Sequence, residues 1–252
     1  MLFGHEDKIG IFKKLVKERA LGHAYLFYGD PQIGKFSFAV SLANFLESGK
    51  FEIGERMLTE SKIVLPEEGG IGIDSAREIK KFLSQSPISS PKRLVVINEA
   101  HLLTMEAQAA LLKIVEEPFL NSLIIFIASE LQTILPPLLS RLTKVYFMRM
   151  TKNEVKNILV KEYKITLEKA DKISEISFGR MGYALHLLEN KEKREDDDLE
   201  QDLEDKIVEL YIGGLKKNSS ILNTLLDRES AIKRFNLNGN LQRKAIEYEL
   251  NR

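Results

Sequence analysis

AYLFYGDPQIGK, residues 24–35, joins a short apolar run to a loop that is bounded by two glycines and closed by a lysine. The run at 24–28 has the length and composition of a buried strand, and the apolar spacing after Lys35 predicts a helix. Gly29 and Gly34-Lys35 have the spacing of a phosphate-binding loop, in which backbone N–H groups and a helix N-terminus surround an anion. Lys35 would reach the phosphates of a nucleotide, so nucleotide binding is the first hypothesis.

Two positions that support Mg²⁺ in such loops carry unsuitable side chains. The loop lysine is normally followed by Ser or Thr, whose hydroxyl binds the ion, but here Phe36 follows. Ser37 comes one residue late, and on a helix it is expected to point about 100° away. The second position belongs to a Walker B segment, an apolar strand followed by Asp-Glu, in which the Asp helps to hold Mg²⁺ and the Glu polarises the attacking water. Here the apolar strand at 93–97 is followed by Asn98-Glu99, and the amide of Asn98 carries no charge to offset a divalent cation. We therefore expect a degenerate nucleotide site that keeps anion-binding groups, and the sequence leaves open whether ATP or ADP binds.

Strand and helix patterns alternate along the chain up to about residue 150, which predicts parallel βαβ units with helices on both faces of a sheet. The predicted strands are 24–28, 63–65, 93–97, 123–128 and 144–148. The predicted helices are 7–20, 35–47, 75–85, 104–116, 136–141, 151–162, 166–177, 181–190, 199–216 and 219–234, with a charged linker at 191–198. We therefore predict an α/β P-loop core at 1–150, a helical lid at 151–191 and a helical, collar-like segment at 192–252.

Composition argues against several classes of function. The 252 residues include no Cys and four scattered His, so neither a disulfide framework nor a metal or zinc site is expected. There are 37 basic and 37 acidic residues, so the global charge does not indicate nucleic-acid binding. Lys80-Lys81 and Lys92-Arg93 are interpreted as solvated surface, and contact of some of them with DNA phosphates is left open. No apolar run approaches the ~18 residues of a membrane span, and the first residues lack a signal-peptide profile. A cytoplasmic protein without a membrane partner is expected.

Four motifs follow one another in a specific order and spacing. They are HAYLFYG (23–29), NEAHLLT (98–104), AQAALLKIVEEP (107–118) and LPPLLSR (135–141). In this arrangement they resemble the clamp-loader AAA+ family of bacterial DNA polymerase III, over about residues 3–190. The resemblance implies an AAA+ P-loop core with a parallel sheet, a small helical lid, and a role in DNA replication within the polymerase III holoenzyme.

Within that family the chain resembles the delta prime subunit, which commonly carries a damaged phosphate loop. The family's Ser-Arg-Cys element appears as Ser140-Arg141-Leu142, and the resemblance implies that Arg141 projects as a finger into the ATP site of a neighbouring subunit. The family's sensor-2 arginine is replaced by Gly182, with Arg180 two residues early and on a different helix face. The resemblance thus implies a subunit that does not hydrolyse ATP itself and acts on a neighbour's nucleotide.

The resemblance also implies the partners of such a subunit. These are the motor (gamma/tau-type) and delta subunits, with the sliding clamp and primer–template DNA engaged through the complex. Family members usually hold a four-Cys zinc module, which this chain lacks, so no zinc is expected. About sixty residues follow position 192, fewer than in the family's collar, which leaves the strength of the assembly contacts open.

Two other hypotheses remain open on the sequence alone. An active motor-type ATPase of the same loader is favoured by Gly29, Gly34, Lys35 and Glu99, and is opposed by the substitutions at the Mg²⁺-supporting positions. An unrelated P-loop protein, such as a small-molecule kinase, would leave the motifs at 107–118 and 135–141 unexplained.

Overall fold

The chain folds as a parallel sheet with helices on both faces, and the computed structural model describes residues 2–54, 57–67 and 69–189, with 207, 225 and 226. The predicted segment at 192–252 lies otherwise outside the described residues, and the division into three parts stays a prediction. The helices are α1 (Glu6–Lys17), α2 (Lys35–Ser48), α3 (Ile73–Leu83), α4 (Met105–Glu116), α5 (Pro136–Leu139), α6 (Lys152–Tyr163), α7 (Leu167–Ile176) and α8 (Met181–Glu189). The strands are β1 (Ala24–Tyr28), β2 (Ser61–Val64), β3 (Arg93–Ile97), β4 (Ser122–Ala128) and β5 (Thr143–Tyr146).

The five strands form one sheet in the order β2-β3-β4-β1-β5, and every neighbouring pair is parallel. Strand β1 lies between β4 and the edge strand β5, so Phe27 pairs with Ile127 on one side and with Val145 on the other. Parallel neighbours cannot be joined by a tight turn, so helical connections cross over the sheet and cover it. The predicted α/β class with a parallel sheet is confirmed.

Strand β1 shows why the strands are apolar throughout their length. Leu26 faces a hydrophobic cluster that includes residues of α3 and α4, whereas Tyr25 and Phe27 face a second cluster with residues of α1 and α2. Successive side chains point to opposite faces of a strand, so both sets are buried when helices cover both faces. The continuous apolar run at 24–28 therefore indicates a strand that is covered on both faces.

One buried amide ties the start of α4 to the segment that leads into α5. The Gln108 side chain donates to the carbonyls of Leu103 and Thr133, at 3.1 and 3.0 Å, and its Oε1 accepts from the N–H of Leu135 at 2.7 Å. Because each polar atom of this amide has a partner, its burial is compensated. The contacts fix the position of α5 against α4, and hence the position of Arg141, which follows the end of α5 by two residues.

Helices α6, α7 and α8 form a three-helix unit with a hydrophobic cluster of their own. Helix α6 begins with a capping box, in which Thr151 accepts from the N–H of Glu154 and the Glu154 carboxylate accepts from the N–H of Thr151. At the start of α7, the Thr166 side chain accepts from the N–H of Lys169. Within the described residues, no helix is long and apolar enough to cross a membrane.

Helix α3 begins two residues earlier than predicted. It starts at Ile73, after Gly72 in an extended conformation, and not at 75. Asp74 lies in the first turn, where its carboxylate is favourably placed near the helix N-terminus and pairs with Arg77 at 2.7 Å. The apolar spacing located the helix, but it could not locate this start because residues 69–72 carry no apolar period.

The interpretation of Arg93 as solvated surface is wrong. Its side chain is buried, with the guanidinium 4.5 Å from the centre of the Phe82 ring and Nε 3.6 Å from a carboxylate oxygen of Glu60. Glu60 also accepts from the N–H groups of Ile88 and Ser89, so this buried pair holds the α3–β3 loop. The charge of Glu60 and the face of the Phe82 ring partly offset the burial of this guanidinium, although Arg93 Nε and Glu60 Oε2 have no hydrogen-bond partner among the described residues.

Candidate functional site

A cavity of about 370 Å³ lies at the edge of the sheet where β1, β3 and β4 end. Ligands of open α/β sheets bind outside the carboxyl ends of the strands, and the volume is in the range of small-molecule sites. The described residues that line the cavity are Leu2, Phe3, Pro31, Gln32, Ile33, Gly34, Lys35, Phe36, Ser37, Asn98, Glu99, Ile127, Ala128, Ser129, Met181, Gly182 and Leu185. The loop motif and the residues after β3 therefore meet at one place.

The loop between β1 and α2 needs glycine at both of its ends. Gly29 has a φ of 138°, and a Cβ on it would collide with the carbonyl oxygen of Phe147. Gly34 has a φ of 96° and directly precedes α2. Residues with side chains rarely adopt such angles, so these glycines permit the tight turn that leads into the helix. The first N–H groups of α2 have no partner within the helix, so they could donate to an anion placed at the helix N-terminus.

The Lys35 ammonium is directed at carbonyl groups of its own loop. Nζ donates to the carbonyl oxygens of Gly29 and Asp30, at 2.6 and 2.5 Å, and the side chain is buried. Burial lowers the pKa of Lys35 to about 8, although the Asp30 and Glu99 carboxylates partly oppose that effect. To bind a nucleotide as the sequence predicts, Lys35 would exchange these carbonyls for phosphate oxygens.

The two positions that should support Mg²⁺ line the cavity with unsuitable groups. Phe36 packs partly against the core on the α2 face of the sheet and has no oxygen to offer. Asn98 follows β3 with a neutral amide, and Glu99 is the one carboxylate among the lining residues. Mg²⁺ requires oxygen ligands in octahedral geometry, so this set of donors does not fit a resident ion. The described residues also contain no group of three or more His, Cys, Asp or Glu that could hold a metal.

Two serines of the cavity differ from the sequence interpretation. Ser37, which was expected to point away, lines the cavity because the end of α2, and not just one side of it, borders the space. Ser129 directly follows β4 and was not singled out from the sequence. Its position after a central strand was the available signal, because the carboxyl ends of parallel strands meet at one edge.

Helix α8 contacts the phosphate loop through main-chain atoms. The N–H of Gly182 donates to the carbonyl oxygen of Gln32 at 2.8 Å. A Cβ at position 182 would lie 2.8 Å from that oxygen and 3.2 Å from the Gln32 Cβ. Gly182 was interpreted only as the loss of an arginine, but the geometry shows a close approach that a side chain would prevent. Arg180 instead stacks its guanidinium 4.4 Å over the Tyr183 ring and does not line the cavity.

Two side-chain contacts also connect the loop to distant parts of the chain. Arg149, between β5 and α6, donates to both carboxylate oxygens of Asp30 at 2.6 and 3.0 Å, and these bonds hold the pKa of Asp30 below its usual value. A ring nitrogen of His5 lies 2.9 Å from the carbonyl oxygen of Ile33. Sequence reasoning missed both contacts, since partners that are 119 and 28 residues apart leave no local pattern.

Arg141 lies near the edge of the sheet opposite the cavity. It precedes β5, whereas the cavity borders strand carboxyl ends, and the four residues of β5 span about 13 Å. Its Nη2 is 2.6 Å from a carboxylate oxygen of Glu116, and its Nη1 donates to the Pro137 carbonyl at 2.9 Å and to the Ser140 hydroxyl at 3.2 Å. Neither Ser140 nor Arg141 lines the cavity, and the Arg141 side chain is 42% exposed. The guanidinium is therefore accessible to another molecule.

A comparison with protein families matches residues 4–151 to the family described as DNA polymerase III, delta subunit. Replication factor C subunit 3 of Saccharomyces cerevisiae is 28% identical over 246 residues, 94% of this chain and 70% of that protein. DNA polymerase III subunit gamma/tau of Mycoplasma genitalium is 28% identical over 203 residues, 74% of this chain and 34% of that protein. The chain thus spans about two thirds of the first relative and one third of the second.

Solved structures show the same fold at lower identity. A DNA polymerase III gamma subunit-related protein of Thermotoga maritima superimposes with a TM-score of 0.59 and 21% identity, covering 95% of this chain and 97% of that one. The RuvB Holliday junction branch migration motor of Thermotoga maritima gives 0.53 and 14%, covering 94% and 71%. At these identities the similarity concerns the fold alone.

Proposed function

The chain belongs to the DNA polymerase III delta-subunit family of clamp-loader AAA+ proteins, and from that premise we propose that it acts as a delta prime-like subunit. In this role it does not hydrolyse ATP and donates Arg141 to the ATP site of a neighbouring subunit while a sliding clamp is loaded for DNA replication. Family membership removes the hypothesis of an unrelated P-loop protein.

The separation of Arg141 from the chain's own cavity is the observation that carries the proposal. The Arg141 side chain is partly exposed and lies away from the chain's own cavity, so a phosphate that it contacted would belong to another subunit. In phosphoryl transfer, an arginine supplied in this way stabilises the negative charge that develops on the transferred group. Ser140 accepts a hydrogen bond from the Arg141 guanidinium and so helps to orient it.

The chemistry of the chain's own cavity supports the absence of hydrolysis. Phe36 and Asn98 replace the hydroxyl and the carboxylate that would hold Mg²⁺. Gly182 places main chain, and no cation, beside the phosphate loop. Lys35 and the loop N–H groups could still bind an anion such as ADP or ATP, since anion binding does not require the metal ligands. Binding and hydrolysis are therefore separate properties of this site.

The proposed partners are the motor (gamma/tau-type) and delta subunits of the loader. The sliding clamp and primer–template DNA would be engaged through that complex, in the cytoplasm of the cell. The segment at 192–252 would supply the collar-like contacts between subunits.

An active motor-type ATPase is the second candidate, and the cavity is the observation that favours it. Its volume of about 370 Å³ and the presence of Lys35 and Glu99 among its lining residues would suit a nucleotide. This candidate requires Mg²⁺ to be held without the two usual ligands, which ranks it second.

Steady-state ATP hydrolysis by the purified chain separates the two candidates. The proposal predicts a rate no higher than that of the Lys35→Ala variant, together with co-elution of the chain with motor and delta subunits on a sizing column. Hydrolysis that Lys35→Ala abolishes would instead establish the motor-type function, and a failure to co-elute would contradict both candidates.

A further inference from the structure

The guanidinium of Arg141 is held by side-chain and main-chain oxygens before any neighbour arrives. Glu116, the last residue of α4, places Oε1 2.6 Å from Nη2. The Pro137 carbonyl and the Ser140 hydroxyl accept from Nη1 at 2.9 and 3.2 Å. Three oxygens on one end of the guanidinium therefore restrict the rotation of a side chain that otherwise has many rotamers.

These contacts leave part of the arginine fork unused. A guanidinium carries five N–H donors, and the contacts with Glu116, Pro137 and Ser140 involve only its two terminal nitrogens. The Nε–H of Arg141 has no acceptor among residues 2–54, 57–67 and 69–189. Because the side chain is 42% exposed, part of it remains open to a phosphate oxygen that approaches from outside.

The main chain on both sides of the arginine is anchored. Leu138 and Leu142, on either side of it, are buried in the cluster beneath α4. The buried Gln108 amide binds Leu135, the residue before α5. Glu116 lies on the same helix as Gln108, so one rigid helix positions both the backbone and the end of the side chain.

We propose that Glu116 is a positioning residue for Arg141, which holds the guanidinium in the orientation that a neighbour's ATP requires. This inference rests on the proposed function and adds Glu116 to Arg141 and Ser140. In the neighbour's site, a water oxygen bonds to the γ-phosphorus, the bond from that phosphorus to the bridging oxygen breaks, ADP keeps the electron pair, and the water proton is released. Glu116 touches none of these atoms and acts only by orienting Arg141.

If Glu116 inhibited Arg141 instead of orienting it, neutralising Glu116 would change the ATPase rate in the opposite direction. If Glu116 only competed with the phosphate for Arg141, neutralising it would free the guanidinium and would raise the rate or lower the KM. If Glu116 orients the guanidinium, neutralising it lowers kcat, because a misplaced group loses much of its stabilisation of the transition state. KM for ATP would stay unchanged, since the neighbour's own loop binds the nucleotide.

The chain offers a matched control in the adjacent residue. Glu117→Gln removes the same charge one position along, and the Glu117 side chain is exposed with no partner in the described part of the chain. Glu116→Gln keeps the size of the side chain and removes an exposed ion pair, and such pairs contribute little to stability. Both variants are therefore expected to fold and assemble like the wild-type protein.

The experiment measures kcat and KM for ATP in the complex reconstituted with motor and delta subunits. Glu116→Gln is expected to lower kcat about tenfold with KM unchanged, while Glu117→Gln leaves both constants unchanged. The double variant Glu116→Gln/Arg141→Ala is expected to be no slower than Arg141→Ala alone, because Glu116 acts through the arginine.

The outcomes separate the two proposals. A normal kcat or a raised kcat in Glu116→Gln, while Arg141→Ala is impaired, would overturn the positioning role and leave the proposed function intact. A further loss on adding Glu116→Gln to Arg141→Ala would also overturn it. An Arg141→Ala complex with normal kcat would overturn the proposed function, and the positioning role with it.

Discussion

Lys35 stands where the sequence predicts a phosphate-binding lysine, and its surroundings change the chemistry of its amine. The ammonium is buried and bonded to two carbonyls of its own loop, and burial brings its pKa down to about 8. A pKa of about 8 leaves the amine mostly protonated near pH 7, so the ammonium can still pair with a phosphate that replaces the two carbonyls. The neighbouring Phe36 and Asn98 add no ligand for the metal that usually accompanies a nucleotide.

The lowered pKa of Lys35 has a consequence for stability that can be measured. In the unfolded chain the ordinary pKa is 10.5, so between about pH 8 and 10.5 the unfolded state binds more protons than the folded state. Stability therefore rises with pH across that window, relative to a variant without the amine. Urea unfolding at a series of pH values should show the free energy of unfolding of the wild-type protein rising relative to that of Lys35→Met between about pH 8 and 10.5.

Lys113→Met, at an exposed position of α4, is the control for the loss of one positive charge. Its free energy of unfolding should follow the wild-type pH dependence. Parallel curves for the wild-type protein and Lys35→Met would contradict the lowered pKa of Lys35.

The place of the loop between a strand and a helix could be predicted from the sequence, but the contacts of its residues could not. The spacing of Gly29, Gly34 and Lys35 predicted a loop that follows a strand and precedes a helix, and the structure has that loop. The bond from Arg149 to Asp30 and the approach of Gly182 to Gln32 join residues far apart in the chain. Such contacts depend on how the three-helix unit packs on the sheet, which no local period encodes.

At the scale of elements, the contact between α8 and the phosphate loop differs from what the sequence suggested. A missing arginine at position 182 indicated a loss, whereas the structure adds a main-chain hydrogen bond between Gly182 and Gln32. The N–H that donates it lies at the start of α8, where helical N–H groups have no partner within the helix. The loop and the three-helix unit are thus joined directly by protein atoms.

Gly182→Ala should destabilise the protein. The added Cβ would lie 2.8 Å from the Gln32 carbonyl oxygen and would push α8 away from the loop. We expect the free energy of unfolding to fall by about 1–3 kcal/mol, the usual cost of overpacking. Chemical denaturation of the two proteins under the same conditions measures the difference.

Gly10→Ala is the matched control, because Gly10 lies inside α1 with nothing within 4 Å of an added Cβ. Alanine favours a helix interior over glycine, so this variant should gain about 0.5–1 kcal/mol. A stabilisation of similar size in Gly182→Ala would show that the close approach of α8 to the loop is not needed.

At the scale of the whole molecule, the sheet separates two sets of groups. The loop residues and Glu99 lie where the strands end, whereas Ser140 and Arg141 precede the edge strand β5. A parallel sheet places these positions at opposite ends of its strands. From the sequence, the action of Arg141 on a neighbour's nucleotide followed only from the family resemblance. The partner of Arg141, Glu116, could not be predicted in this way, because it depends on the packing of α5 along α4.

The central claim is that this chain contributes to a neighbour's ATP site through Arg141 and not through its own loop. The most direct measurement is the ATPase rate of the complex reconstituted with motor and delta subunits, comparing Arg141→Ala with Lys35→Ala in this chain only. Arg141→Ala should lower the rate at the neighbour's site at least about tenfold, since such arginines carry large effects on kcat, while Lys35→Ala leaves it unchanged. A complex that loses activity with Lys35→Ala and keeps it with Arg141→Ala would contradict the claim.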